Sequence, residues 1–318
     1  MRRYVLKRLA GALITLIGVA VLVFVLLRVL PGDEITARFG IESGSLTPLQ
    51  RESLERYYGL DQPLVLQFFT WLGSVLSGNF GISVTSGSSV GRLIGRALPV
   101  TIELAVLSTL IGSIVGVAIG VMAASNANGL RDTVGQTFGL LGLGIPNFVI
   151  ASGVIAFLAE RFGYFPAAAS YVDLWEAPLI NLQQQLYPAL ILGVGLAAST
   201  MRTTRSAFIE AASQDFVRTA RGKGLSASRV KWRHVLGNSW TPIITIIGIQ
   251  FGYLLGGTII VEEIFALPGM GRLVLTGIGQ REYAVVQSSV LVIAALFVVV
   301  NLLVDLAYAR LDPRVRLT

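Results

Sequence analysis

Apolar residues in this chain come in long blocks separated by polar stretches. Residues 9–27 form the first block, behind a basic start of Arg2, Arg3, Lys7 and Arg8; the others occupy 98–124, 134–158, 187–199, 240–261 and 285–303. A bilayer core about 30 Å thick asks for roughly 20 apolar residues in helix. The pattern therefore predicts an all-α integral membrane chain of about six transmembrane helices. The first block is longer than a secretory h-region and runs into Arg28-Val-Leu-Pro-Gly-Asp33 with no small-residue cleavage site, so a retained helix is expected.

Several blocks carry internal marks. Gly112, Gly116 and Gly120 stand four apart in the second, and Gly248, Gly252 and Gly256 in the fifth, two stripes where another helix can approach closely. The third is interrupted at Gly142-Leu-Gly-Ile-Pro146-Asn147, where Pro146 removes a backbone donor and predicts a kink. Glu103, near the outer end of the second block, is the one clear intramembrane charge, and its burial calls for a partner on another helix or in water.

The polar segments differ in character. Residues 33–97 hold an amphipathic run at 48–58 and the acids Glu34, Glu42, Glu52, Glu55 and Asp61, which suits an external cap. Residues 125–133 form a short turn with Arg131 and Asp132; 160–186 carry Asp173 and Glu176; and an outer loop opens at Glu262 and passes through Pro268-Gly269. Residues 201–240 are strongly basic and too charged for hydrocarbon, so they are expected in water beside the membrane. Their pattern is helix, break, helix. Phe208, Ala211, Ala212, Phe216 and Ala220 recur at helical spacing over 207–221, and Gly222 and Gly224 then stop the helix. Ser226 is placed to cap a second helix, which Asn238 would end near Pro242. The residues alone leave open whether this elbow only sets topology or presents a surface to a partner.

Composition supports the membrane reading: 53% of residues are hydrophobic and 14% charged. A net charge of +7 raises nucleic acid as a partner, but sixteen of the 25 basic residues lie in the N-terminus, the 125–133 turn, the elbow and the tail with Arg310, Arg314 and Arg316. That clustering at span ends excludes the nucleic-acid reading and predicts cytoplasmic termini and a cytoplasmic elbow. Cysteine is absent and His234 is the sole histidine, so neither a thiolate site nor a histidine pair is available for metal. No phosphate loop, H-E-x-x-H or G-x-S-x-G occurs, and Gly193-Val-Gly195 lies inside an apolar block with no strand before it. An enzyme has no constellation to stand on, and no cofactor is expected on this chain. An ion-coupled transporter or channel remains, although such proteins usually display more intramembrane charge.

The run DFVRTARGKGL at 215–225, followed by RVKWRHVLGNSWTPIIT at 229–245, resembles the cytoplasmic signature of membrane subunits of bacterial ABC importers of the dipeptide, oligopeptide and nickel family. Further blocks match in order: RVLPGD at 28–33, GLDQPLVLQF at 59–68, GNFGIS at 78–83, LPVTIELAV at 98–106, GLGIPNF at 142–148, VEEIFALPGMGR at 261–272 and NLLVDLAYARLDPRVR at 301–316. The resemblance implies a type I importer permease fold: an N-terminal helix (1–30), an extracytoplasmic segment (31–97), a five-helix core (98–309) with a cytoplasmic coupling loop (202–238), and a tail (310–318). By position, Asp215, Arg218, Thr219, Ala220, Arg221, Gly222, Lys223, Gly224, Leu225 and Ser226 would form a coupling helix and knuckle docked on a separate ATPase subunit. The literal Glu210-Ala-Ala departs from the importers' EAA register, which works only with Gly224 six after Arg218; Gly222 stands where many relatives have Ala. The implied partners are a similar second permease, one or two ATP-binding subunits that carry ATP and Mg, and an extracytoplasmic solute-binding protein, all at a bacterial inner or plasma membrane. Segment 33–97 and the Pro268-Gly269 loop are candidates for receiving the binding protein or guarding the entrance. Short peptides are the implied cargo, with nickel, glutathione or a sugar as alternatives.

Overall fold

The computed structural model describes residues 2–29, 47–57 and 61–311, which are almost entirely helical. Expectations on Asp33, Glu34, Glu42, Arg314 and Arg316 lie outside the described residues. In chain order the helices are α1 (Arg2–Val29), α2 (Pro48–Tyr57), α3 (Leu64–Leu76), α4 (Val90–Ala124), α5 (Leu130–Gly144), α6 (Asn147–Phe162), α7 (Pro178–Ser213), α8 (Asp215–Gly222), α9 (Leu236–Gly257), α10 (Ile259–Ile264), α11 (Met270–Gly279) and α12 (Tyr283–Leu311). Short helix Ala227–Arg229 and a π-helical turn, Val230–Val235, lead without a break into α9.

Four stretches among the described residues are long and apolar enough to cross a membrane: Leu6–Val29, Val90–Ala124, Ala227–Gly256 and Tyr283–Leu306. The pair α5 and α6 makes a fifth if counted as one span, bent by 91° at the expected Pro146. Helix α7 is the longest, 36 residues, or about 54 Å at 1.5 Å per residue. Only its middle forms the apolar block 187–199, because α7 is the central helix. Asn181, Gln185, Thr200 and Thr204 on it are buried against protein and so escape lipid.

The first glycine stripe is what lets α4 and α7 pack backbone to backbone. A Cβ at Gly112 would lie 2.8 Å from the Gly193 carbonyl oxygen, one at Gly116 2.7 Å from that of Ala197, and one at Gly120 2.8 Å from that of Met201. Both helices thus step by four residues along one contact. In the second stripe Gly248 meets Val304 and Gly252 meets Phe297 of α12, but Gly256 faces open space, so only two of its three glycines serve packing.

Two boundaries differ from the pattern. Helix α4 begins at Val90, because Val90, Ile94 and Ala97 are buried with Met270 and Val285 in one cluster; Pro99 therefore lies inside the helix. Within the segment expected to be polar, α3 is apolar and lies on α1, its Phe68 and Trp71 rings 5.3 and 5.8 Å from that of Phe24. The amphipathic run is α2, opened by a reciprocal cap: the Gln50 N–H donates to the Thr47 hydroxyl at 3.3 Å, and the Thr47 N–H to the Gln50 side-chain oxygen at 2.9 Å.

One end of the bundle gathers the basic segments. Arg8 of α1 pairs with Asp305 of α12 at 2.8 Å, and the end of α4, the start of α5, the end of α7 and the elbow all meet there.

Candidate functional site

The elbow is folded differently from its sequence pattern. Helix α7 does not stop near Met201 but runs to Ser213, with Met201, Thr204, Phe208 and Ala211 buried in the bundle, so the first third of the basic stretch is not free in water. A break at Gln214, in extended backbone, splits the single helix expected over 207–221. After it α8 buries Val217 and Ala220, and its end is a Schellman motif. Gly224, at φ +78, takes the left-handed position, while the Gly224 N–H donates to the Arg221 carbonyl at 2.9 Å and the Leu225 N–H to that of Ala220 at 3.3 Å. Ser226 then caps the next helix as expected, its hydroxyl accepting from the Arg229 N–H at 3.4 Å. Neither Asn238 nor Pro242 ends that helix. The Asn238 amide donates to the His234 carbonyl at 2.7 Å beside the π-helical turn, and Pro242 is carried inside α9.

Beneath the elbow lies an apolar seat drawn from four elements. Val121 and Ala124 of α4, Phe208 and Ala211 of α7, Val217 and Ala220 of α8, and Val235, Leu236 and Ile243 from the run into α9 form one cluster, with Leu225 half-buried against it. Of the ten residues assigned to the elbow, Ala220 and Leu225 are thus turned into this seat. Asp215, Arg218, Thr219, Arg221, Gly222, Lys223, Gly224 and Ser226 face outward. Arg218 and Asp215 approach only to 3.8 Å with both side chains almost fully exposed, so their pairing holds little of the fold and leaves both free for a partner. Chemically, the elbow is a rigid, glycine-turned projection with three cations, fixed at its base and bare at its tip.

The buried carboxylates were not legible in the chain. Asp132, assigned to a turn, is fully buried in the first turn of α5. It accepts from Arg205 Nε at 2.6 Å and a terminal guanidinium nitrogen at 2.7 Å, and from the Asn128 N–H at 2.8 Å and Gln136 at 3.1 Å. Glu262, assigned to a loop, is fully buried in α10. It accepts from the Thr101 and Thr258 hydroxyls, each at 2.8 Å, and from the Arg272 N–H at 3.1 Å. Gly269 is forced by that carboxylate, since a Cβ there would lie 2.5 Å from its carbon, so the Pro268-Gly269 loop is pinned to α4 and α10. Glu103 is partnered as expected, accepting from Tyr171 and Asn181 at 3.2 Å each. Burial pushes the Tyr171 phenol up to about 12, so it stays protonated and remains the donor. Near the same end, Glu282 accepts from the Ser83 hydroxyl at 2.9 Å and the Thr85 N–H at 3.0 Å.

Comparison with known proteins accounts for the whole chain. Residues 116–317 match the family of binding-protein-dependent transport system inner membrane components, and residues 1–105 match that system's N-terminal membrane-component family. The glutathione transport system permease protein GsiC of Salmonella choleraesuis is 38% identical over 317 residues, covering 99% of each chain. The dipeptide transport system permease protein DppB of Bacillus subtilis is 36% identical over 318 residues, covering 100% of this chain and 99% of its own. A probable peptide ABC transporter permease, y4tP, of Sinorhizobium fredii is 37% identical over 313 residues. The fold is that of the inward-facing MetNI methionine ABC transporter, with a TM-score of 0.57 at 16% identity over 70% of this chain and 97% of that one. Two family matches, a permease fold and relatives aligned over nearly their full length agree: the chain belongs to the binding-protein-dependent transport system inner membrane components, the membrane-spanning subunits of ABC importers.

Proposed function

We propose that this chain is the translocation subunit of an ATP-driven importer of short peptides. The observation that carries the substrate class is near-complete alignment, at 36–38% identity, with permeases named for dipeptide, peptide and glutathione transport, glutathione being itself a tripeptide. In this reading the tip residues Asp215, Arg218, Thr219, Arg221, Gly222, Lys223, Gly224 and Ser226 dock into a groove on an ATP-binding subunit, while Ala220 and Leu225 hold the tip to its seat. ATP and Mg belong to one or two such subunits. A second, similar permease completes the pathway and an extracytoplasmic binding protein delivers the cargo. The N-terminus, the elbow and the C-terminus face the cytoplasm, as the clustered bases favour.

The test is uptake of labelled dipeptides, tripeptides and glutathione by cells expressing this chain with its partner subunits, with and without an ATPase-inactivating substitution. Peptide uptake that survives loss of ATP hydrolysis refutes the importer, and uptake confined to nickel or a sugar refutes the cargo. Orientation is read separately. In this cysteine-free chain, Ser226→Cys reacts only from the cytoplasmic side and Ser86→Cys only from outside, and the reverse pattern overturns the arrangement.

A further inference from the structure

The seam between α5 and α7 opens twice along one face. At the basic end is a cleft of about 550 Å³, walled by Thr133, Gln136 and Thr137 of α5 and Arg202, Arg205 and Ser206 of α7. Further along, at the 91° break between α5 and α6, a pocket of about 320 Å³ carries the polar groups of Asn147, Gln250 and Tyr253 among leucines and glycines. Both openings reach one face of α7, at Gly195 in one and at Arg202 and Ser206 in the other. Within the basic cleft, Arg205 is already spent on Asp132 through two hydrogen bonds. Arg202, one turn earlier, is exposed and has no hydrogen-bond or ion-pair partner among the described residues. The cleft therefore holds one uncompensated guanidinium beside the hydroxyls of Thr137 and Ser206, a donor set with no acid left to satisfy it. A carboxylate is what such a set binds, because guanidinium and carboxylate match in charge and in planar geometry.

We propose that Arg202 receives the C-terminal carboxylate of a short peptide in transit, with the peptide's amide backbone lying along the seam toward Asn147, Gln250 and Tyr253. This rests on the peptide-importer reading. Seven residues of α7 separate Gly195, which lines the upper pocket, from Arg202, a rise of about 10 Å. An extended peptide covers that in about three residues. The amide and phenol groups of the upper pocket suit peptide bonds, whereas a lipid tail in the same groove would leave them unpaired.

The absence of cysteine makes the test direct. Thr137→Cys places the only thiol of this chain in the cleft, and the assembled transporter in zwitterionic-lipid nanodiscs is labelled with an anionic and a cationic methanethiosulfonate, with modification read on this chain. A guanidinium charge about 6 Å from a thiol in water alters each rate about threefold in opposite directions, so with each rate divided by that reagent's rate on a free thiol in solution, the anionic reagent is favoured by about tenfold. Arg202→Gln brings that ratio near one, and Arg202→Lys keeps it. A tripeptide with a free carboxylate slows labelling, its C-terminal amide does not, and the difference vanishes in Arg202→Gln. Equal protection by acid and amide overturns the proposal. So does protection by phosphatidylglycerol in the nanodisc without any effect of peptide, which makes the cleft a lipid-headgroup site. Wild-type uptake of the same tripeptide separates the two levels: uptake without carboxylate-specific protection sinks this inference alone, whereas absence of any peptide uptake sinks the reading beneath it.

Discussion

Arg205→Met keeps the length of the side chain and removes its charge, leaving the fully buried Asp132 with two neutral donors, the Asn128 N–H and Gln136. Breaking a buried ion pair from one side costs about 3–5 kcal/mol, because the surviving charge stays desolvated. Two retained hydrogen bonds and a guanidinium that is 23% exposed in the native protein place the expected loss at the low end, about 3 kcal/mol. Asp132→Asn leaves no buried charge, and Arg205 can turn to water, so the loss should be about half as large. The double variant Asp132→Asn/Arg205→Met should then be no less stable than Asp132→Asn alone. Equilibrium unfolding of the purified chain by SDS in mixed micelles, followed by helical ellipticity, measures all four species of the cycle. The reasoning fails if Arg205→Met is as stable as the native chain, or if the double variant loses the sum of the single losses.

Three shorter predictions use other features. Gly116→Val drives a side chain into the Ala197 backbone and should destabilise by about 1–3 kcal/mol or more, whereas Gly256→Ala, in open space, should be neutral or stabilising by up to about 1 kcal/mol; thermal midpoints compare them. Gly224→Ala meets no neighbour but must hold φ +78, at about 1–2 kcal/mol, and should lower peptide-stimulated ATPase turnover, while Gly237→Ala, inside α9 and away from the tip, should leave turnover intact; equal turnover in both variants removes Gly224 from the coupling argument. Burial raises the Glu282 carboxyl, but the hydrogen bonds from Thr85 and Ser83 outweigh it and bring it below the ordinary 4.5, so its contribution is present above that value and is lost as pH falls through the lowered one. Unfolding midpoints taken from pH 6 down to pH 3 should show that extra slope in the native chain and not in Glu282→Gln.

The apolar blocks told where helices cross because lipid demands continuous apolar length, a local property of sequence. They misjudged α7 because a helix surrounded by protein need not be apolar. Its Asn181, Gln185 and Thr204 looked like loop residues only on the assumption of lipid contact. The four-residue glycine stripe was legible, yet its partner was not, since Gly193, Ala197 and Met201 carry no matching signal of their own. At the elbow the glycine stop and the Ser226 cap were readable, being local hydrogen-bond chemistry. The break at Gln214 and the passage through Pro242 were not, because tertiary packing on the apolar seat decides both. Asp132 and Arg205 are 73 residues apart, Thr101 and Glu262 161, and nothing local announces such pairs.

One helix ties these levels together. Beyond Pro188, residues 189–213 of α7 run uninterrupted for about 37 Å. Ser213 lies next to the elbow, Arg205 locks α5 to the rod, Arg202 faces the cleft, and Gly193, Ala197 and Met201 key it to α4. A close-packed contact between backbones has no side chains to absorb a shift, so α4 and α7 are constrained to move as one body. The seat carries α8 on both helices at once. A displacement imposed on the elbow by a partner is therefore expected to move α4 and α7 as a unit, and the seam expected to open or close is the looser one, between α5 and α7, where a Cβ on Gly142 would stand 3.4 Å from the nearest α7 carbonyl oxygen, against 2.7–2.8 Å along the α4 stripe. Its two ends differ in kind: Asp132 and Arg205 fix it at the basic end, while the 91° break at Pro146 leaves α6 free to follow a different direction. Disulfide crosslinking of Asn147→Cys to Gly195→Cys at the opening beside the break, where a Cβ on Gly195 would lie 3.5 Å from the Asn147 side-chain oxygen, tests this directly. It should arrest transport while leaving ATP binding intact, and transport that continues through the crosslink would show that the seam does not move.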